Sequence, residues 1–151
     1  MGTRTFVLIK PDGVQRGLVG AIIRRFEERG LKLVGIQMRH VSEDLAESYY
    51  AEHRGKEFFR PLVAYVTSGP VVAMVWEAPR AVEMARGTIG ATDPADAAPG
   101  TIRGDFGVDI SRNLVHGADS EASARREIGL FFPDEEILSY TRVDEHWLRG
   151  S

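Results

Sequence analysis

Four short runs of strand-forming apolar residues, separated by segments of helical periodicity, restrict what this chain can fold into more than any other feature. Thr5 to Ile9 is the first run, closed by Lys10-Pro11-Asp12-Gly13, whose proline and glycine signal a turn that leaves Lys10 at the strand end. From Leu18 to Arg29, the residues Leu18, Val19, Ile22, Ile23 and Phe26 recur at threes and fours, which predicts a helix stopped by Gly30. Leu31 to His40 reads as the second strand, with Val34, Ile36 and Met38 alternating with Gly35, Gln37 and Arg39 as if one face were buried. Ser42, followed by Glu43 and Asp44, is an N-cap with an acidic first turn, and the helix it opens carries Leu45, Tyr49 and Tyr50. Phe58 to Thr67 is helical again, with Pro61 tolerated in its first turn. Val71 to Trp76 is a nearly continuous apolar run, read as a central third strand, and Arg80 to Ile89 a helix between Pro79 and Gly90. Asn113 to His116 is the fourth strand, and Asp119 or Ser120 caps a last helix that ends at Pro133. This order of elements matches a split βαβ pattern, an α+β fold with a four-stranded antiparallel sheet and helices on one face.

The long stretch from Gly90 to Phe106 has little apolar periodicity and contains Pro94 and Pro99, and a loop of that length in a small domain is usually functional or disordered. Residues from Asp134 onward form a polar tail with scattered apolar side chains, expected to pack on the domain or on another subunit. With 151 residues and 43% hydrophobic content, a single domain over 1–151 is expected. The 22 acidic and 19 basic residues leave a net charge of −3, so no global field draws a nucleic-acid backbone or an anionic membrane, and an anionic ligand must meet a local basic cluster. There is no cysteine, which removes disulfides and thiolate chemistry. No apolar run approaches membrane-spanning length and the first residues lack a signal-peptide core, so a soluble, cytoplasmic protein is expected.

Reactive chemistry centres on His116, which follows Leu114 and Val115 and precedes Gly117, where a buried strand breaks into a turn. A neutral imidazole is a nucleophile or base when a partner orients its second nitrogen. Lys10 also lies at a strand end, and the region between contributes Arg86, Thr92 and Arg103. A lysine, two arginines and a hydroxyl suit a triphosphate: a point charge, two guanidinium forks and a neutral donor. Two other motifs carry nothing. Asp105-Phe106-Gly107 matches the metal-binding triplet of protein kinases without that fold's other signatures, and there is no P-loop sequence. His40, His53 and His146 have no metal-ligand spacing and are read as structural or surface residues.

These residues sit in long segments that closely resemble nucleoside diphosphate kinases from Arg4 to about Phe132. The segments are Phe-Val-Leu-Ile-Lys-Pro-Asp-Gly-Val-Gln-Arg-Gly at 6–17, Tyr-Ala-Glu-His at 50–53, Thr-Ser-Gly-Pro-Val at 67–71 and Gly-Ala-Thr-Asp-Pro at 90–94. Ala-Pro-Gly-Thr-Ile-Arg-Gly-Asp-Phe at 98–106 and Arg-Asn-Leu-Val-His-Gly at 112–117 complete them. The resemblance implies a ferredoxin-like βαββαβ fold and transfer of the γ-phosphate of a nucleoside triphosphate, mainly ATP, to a nucleoside diphosphate. The transfer is ping-pong through a phosphohistidine, with Mg²⁺ carried on the nucleotide phosphates and no metal held directly by the protein.

By position, the resemblance makes His116 the nucleophile through Nδ1, with Glu127 accepting a hydrogen bond from the other ring nitrogen and Tyr50 beside the imidazole. Lys10, Arg86, Thr92 and Arg103 would hold phosphates. Phe58 would stack on the base near Leu62 and Ile110, while Asn113 and Lys10 contact the ribose. Stacking on an aromatic face tolerates any base, which would admit purine and pyrimidine nucleotides alike. The family pattern after the histidine is Gly-Ser-Asp, whereas this chain has Gly117-Ala118-Asp119 and lacks the hydroxyl expected near His116 and Glu127. Ala118→Ser is therefore expected to raise turnover or thermal stability. The resemblance also implies a homo-oligomer, with a hexamer favoured over a tetramer and the 94–100 loop and the tail as subunit contacts. The alternative is a nucleotide-binding homologue with weakened catalysis, acting as a binding or scaffold protein. A nucleic-acid-binding module ranks last, because the strands are aliphatic and the charge is acidic.

Overall fold

The structure, a computed structural model, describes residues 2–150; Met1 and Ser151, the ends of the expected 1–151 domain, lie outside the described residues. The chain runs β1 (Thr3–Ile9), α1 (Pro11–Gln15), α2 (Val19–Glu28), β2 (Lys32–Arg39), α3 (Glu43–Tyr49), α4 (Phe59–Val66) and β3 (Val71–Ala78). It continues through α5 (Ala81–Ile89), α6 (Ile102–Phe106), β4 (Val115–Gly117), α7 (Glu121–Phe131) and α8 (Glu145–Leu148). The strands form one sheet in the order β2-β3-β1-β4 with every pairing antiparallel, the α+β arrangement expected of a βαββαβ chain.

Helices cover both faces of this sheet, not the one face expected. Along β1, Phe6 and Leu8 join one apolar cluster with Tyr49, Val63, Ala124 and Phe131, while Val7 and Ile9 join another with Ile22, Phe26, Ala85 and Ile89. Consecutive residues of β1 and β3 are therefore buried on alternate sides, which is why these strands read as continuous apolar runs. Edge strand β2 departs differently. Val34 is buried, but Ile36 and Met38 are 49% and 62% exposed, because the register slip between Leu33 and Gly35 turns them away from the face that buries Val34.

Capping residues set two helix starts. The Ser42 hydroxyl accepts the Leu45 N–H at the start of α3, and the Ser120 hydroxyl accepts the Ser123 N–H at the start of α7. Each cap contributes about 1 kcal/mol. Two further helices replace segments expected to be irregular. Pro11, read as part of a turn, occupies the first position of α1, where its missing N–H costs nothing. Within the 90–106 stretch, Thr101 caps α6 by accepting the Gly104 N–H. The tail packs on its own domain: Leu138 N–H donates to the Val34 carbonyl, Tyr140 OH to the Leu33 carbonyl and Arg142 to the Leu31 carbonyl. Lys32, buried at the start of β2, meets Glu77 and Glu145 and donates to the Tyr140 carbonyl.

Candidate active site

β4 delivers His116 opposite Leu8 of β1. The strand begins two residues later than its sequence pattern predicts, because Leu114 adopts φ 76°, a left-handed conformation rare for a residue with a bulky side chain. Such a backbone costs of order 1–3 kcal/mol and persists only where neighbours over-determine it. Here the Leu114 carbonyl accepts the Lys10 N–H at 2.9 Å, and its own N–H donates to the Asp12 carboxylate at 3.1 Å. Gly13 makes the approach possible: a Cβ there would lie 2.7 Å from the Ile9 side chain and 3.0 Å from the Leu114 carbonyl oxygen. The Lys10-Pro11-Asp12-Gly13 segment thus braces the backbone that aims the histidine.

The His116 Nε2 atom lies 2.9 Å from Glu127 Oε1 on α7. A carboxylate only accepts, so Nε2 carries the proton and Nδ1 keeps the lone pair. Among the described residues Nδ1 has no hydrogen-bond partner. Glu127 is buried, its side chain 10% exposed against 31% for the imidazole, so the pair has one sheltered and one open end. The Tyr49 ring meets His116 edge-on, with centroids 5.5 Å apart. Tyr50 packs on Tyr49 at 4.8 Å and on His53 at 6.4 Å, with its hydroxyl pushed up to about 12 by burial and then by the Glu127 charge. From His53 the next ring is Phe58, at 5.0 Å, so a run of aromatic contacts links the half-exposed Phe58 to the imidazole.

The basic residues converge through hydrogen bonds. Lys10 Nζ donates to Asn113 Oδ1 at 2.8 Å, and Asn113 Nδ2 donates to the Thr92 carbonyl at 3.0 Å, which joins β1, the long loop and the approach to β4. Arg103 is buried on α6 and donates to the carbonyls of Asn113, Gly90 and Val115. A guanidinium has five N–H donors, so two remain for a ligand. Arg86, exposed on α5, donates to the Gly117 carbonyl at 3.2 Å, next to the histidine. Burial, then the charge of Arg103, lowers Lys10 to about 8, and burial with the charge of Arg86 lowers Arg103 to about 10. Cations gathered this closely suit an anionic ligand.

Leu62 is half-buried on α4, one turn beyond Phe58, and Ile110 is exposed on the turn closed by the Asp109–Arg112 bridge. Arg112 lies 4.4 Å over the Tyr65 ring and ties that turn to α4, while Tyr65 donates to Asp12. Sequence reasoning did not single out Asp12, Tyr65 or Arg112 as site residues. Asp12 lay within a motif, but its link to Leu114 crosses 102 positions and leaves no local trace. A cavity of about 1110 Å³ between the start of β1, α7 and the tail contains none of these residues.

Known proteins resemble this chain over nearly its whole length. A family model described as nucleoside diphosphate kinase matches residues 3–137. The nucleoside diphosphate kinase of Carboxydothermus hydrogenoformans is 57% identical over 96% of this chain and 97% of its own, and that of Archaeoglobus fulgidus is 59% identical over 96% of both. The structure of a halophilic nucleoside diphosphate kinase from Halobacterium salinarum in complex with CDP superposes with a TM-score of 0.96 at 52% identity, covering 99% of each chain. Similarity in sequence and backbone over essentially the whole length leaves one assignment: this chain belongs to the nucleoside diphosphate kinase family.

Proposed function

We propose that His116 carries the phosphoryl group in a ping-pong exchange between a nucleoside triphosphate, mainly ATP, and a nucleoside diphosphate. Membership of the family makes the chain a nucleoside-diphosphate kinase, a phosphotransferase. The observation that carries the histidine assignment is the 2.9 Å contact of Nε2 with Glu127, which leaves Nδ1 as the nucleophilic nitrogen. In the first half-reaction the Nδ1 lone pair attacks the γ-phosphorus, the bond to the bridging oxygen breaks, and the nucleoside diphosphate leaves. The Nε2 proton stays against Glu127, whose charge offsets the cationic ring. In the second half a terminal oxygen of the acceptor diphosphate attacks phosphorus, the P–N bond breaks, and the imidazole is regenerated.

Lys10, Arg86, Arg103 and Thr92 hold the phosphates in this reading, and catalysis is mostly positioning and charge stabilisation. That donor set is cationic or neutral and suits phosphate oxygens, so Mg²⁺ enters with the nucleotide as part of the substrate. Phe58 supplies the stacking face for the base beside Leu62 and Ile110, and Asn113 with Lys10 contacts the ribose. The 1–151 chain acts as one domain in the cytoplasm; no helix among the described residues is long and apolar enough to cross a membrane. Exposed Ile36 and Met38 on the edge strand, with Val143 and Trp147 on the tail, favour a homo-oligomer, read as a hexamer and tested by analytical ultracentrifugation.

The deciding experiment incubates the protein with γ-labelled ATP and Mg²⁺, traps acid-labile, base-stable phosphoprotein, and chases it with GDP or dCDP. Label that moves to the added diphosphate and is absent from His116→Ala supports the reading. Nucleotide binding without label would overturn it.

A further inference from the structure

Tyr49 ends α3 with its ring clamped by four neighbours: Phe6 at 6.2 Å, Phe131 at 5.6 Å, Tyr50 at 4.8 Å and His116 at 5.5 Å. The His116 contact is edge-on, at 80° between planes, so the tyrosine limits rotation of the imidazole about its own axis. Its hydroxyl is the unusual part. Tyr49 is 5% exposed, and the buried hydroxyl has no hydrogen-bond partner among the described residues. Buried polar groups are nearly always paired, so an orphan beside a reactive group needs a reason.

The neighbouring carboxylate has acceptor capacity to spare. Glu127 is 8% exposed and has a single hydrogen bond among the described residues, the one to His116, although an ionised carboxyl can accept about four. Burial first, then the charge of Glu127, pushes the Tyr49 hydroxyl well up, so it stays protonated and remains a donor. Ala118 offers no help. It lies two residues beyond His116, just past the end of β4, and is fully buried in the apolar cluster that includes Tyr49, with only a methyl group to present.

We propose that Tyr49 is a positioning residue for phosphoryl transfer: its ring edge packs against His116, and the Glu127 carboxylate draws within reach of its fixed hydroxyl and accepts from it when the imidazole becomes cationic, the service Ala118 does not provide. The inference rests on His116 being the phosphorylated residue. As positive charge builds on the imidazole, Glu127 is held in one orientation by a donor on each side.

The test is a double-mutant cycle of Tyr49→Phe and Ala118→Ser, reading kcat, KM, melting temperature and the rate of His116 labelling from γ-labelled ATP. Tyr49→Phe keeps the ring and removes only the hydroxyl. Labelling rate and kcat are expected to fall about tenfold, the effect of one hydrogen bond to a charged group, with KM unchanged. Ala118→Ser, which places a hydroxyl two residues beyond His116, is expected to restore the rate in the Phe background by a larger factor than it changes the parent. Unchanged rates with a higher melting temperature in Tyr49→Phe would mean that the hydroxyl is only a buried liability, and would overturn the proposal. A rate loss that follows the melting temperature and is not rescued by Ala118→Ser would overturn it too. If the unsubstituted protein takes no label, the phosphohistidine reading itself fails; if it labels normally and Tyr49→Phe does as well, only the tyrosine's role is lost.

Discussion

Nε2 of His116 stands 2.9 Å from a carboxylate oxygen of Glu127, across eleven residues that pass from a sheet strand into the facing helix. The contact decides which ring nitrogen carries the proton, and so which one can attack. Glu127→Gln keeps the shape of the side chain but removes its charge, and the amide can point either an oxygen or a donor at the ring. A fall in kcat of about 10- to 100-fold is expected, the usual scale for losing a ligand-orienting carboxylate, with little change in KM. Steady-state kinetics with ATP and a nucleoside diphosphate check it; a change confined to KM would contradict an orienting role.

Lys10 predicts a pH dependence. Its folded-state pKa is lowered to about 8 by burial and by Arg103, so the free site loses this positive charge as pH rises through that value. Affinity for a nucleoside triphosphate is expected to weaken from pH 7 to pH 9, with the free-protein midpoint near 8. The native state binds fewer protons than the unfolded chain between about 8 and the ordinary lysine value of 10.5, so this group's contribution to stability rises with pH over that window. Calorimetric titration across the range, with Lys10→Met as the variant that flattens the curve, tests both the site and the sign.

Arg103 holds three carbonyls together, those of Gly90, Asn113 and Val115. Lysine cannot reproduce that fork. Arg103→Lys is expected to lower unfolding free energy by about 1–3 kcal/mol, the penalty for leaving a buried acceptor unpaired, and to raise KM for nucleotides. Denaturant melts and kinetics on one preparation separate the two effects. Full stability with raised KM would assign Arg103 to the ligand alone.

Lys32 bonds the tail to the sheet through Glu145, and Glu77 lies on its other side at 3.3 Å. Lys32→Met leaves two carboxylates without their shared cation. Limited proteolysis is expected to cut beyond Pro133 much faster in the variant, and the melting temperature to fall by several degrees. Equal cleavage rates would show that the apolar and backbone contacts of Leu138, Tyr140 and Arg142 hold the tail unaided.

Much of the fold was legible in local sequence, because caps and periodicities act over a few residues. Ser42 and Ser120 marked helix starts, Gly30 and Gly90 marked stops, and the runs around Leu8, Val34, Met74 and Val115 marked four strands. Legibility failed where distant contacts overrode the local pattern. Ile36 and Met38 alternate as buried residues should, yet they are exposed, since the register slip between Leu33 and Gly35 turns them away from the face that buries Val34. The long loop contains α6 because Gly104 lets that helix sit on the loop: a Cβ there would come within 2.0 Å of the Ala98 carbonyl oxygen.

By itself, the sequence determined the residue types available for the chemistry: an imidazole, an acid, three cations and an aromatic ring, carried on motifs that identify the family. It also determined the α+β class, because helical and strand periods follow from side-chain spacing alone. Only the tertiary structure decided how the histidine is aimed. The left-handed Leu114, its hold by Lys10 and Asp12, and the meeting of Glu127 with Nε2 depend on partners up to 104 positions from the residues they orient. The choice of Tyr49 over Tyr50 as the ring against His116 is of the same kind. Adjacent residues leave a helix about 100° apart, and which of them meets the sheet is settled by packing against Phe6 and Phe131, far along the chain in both directions.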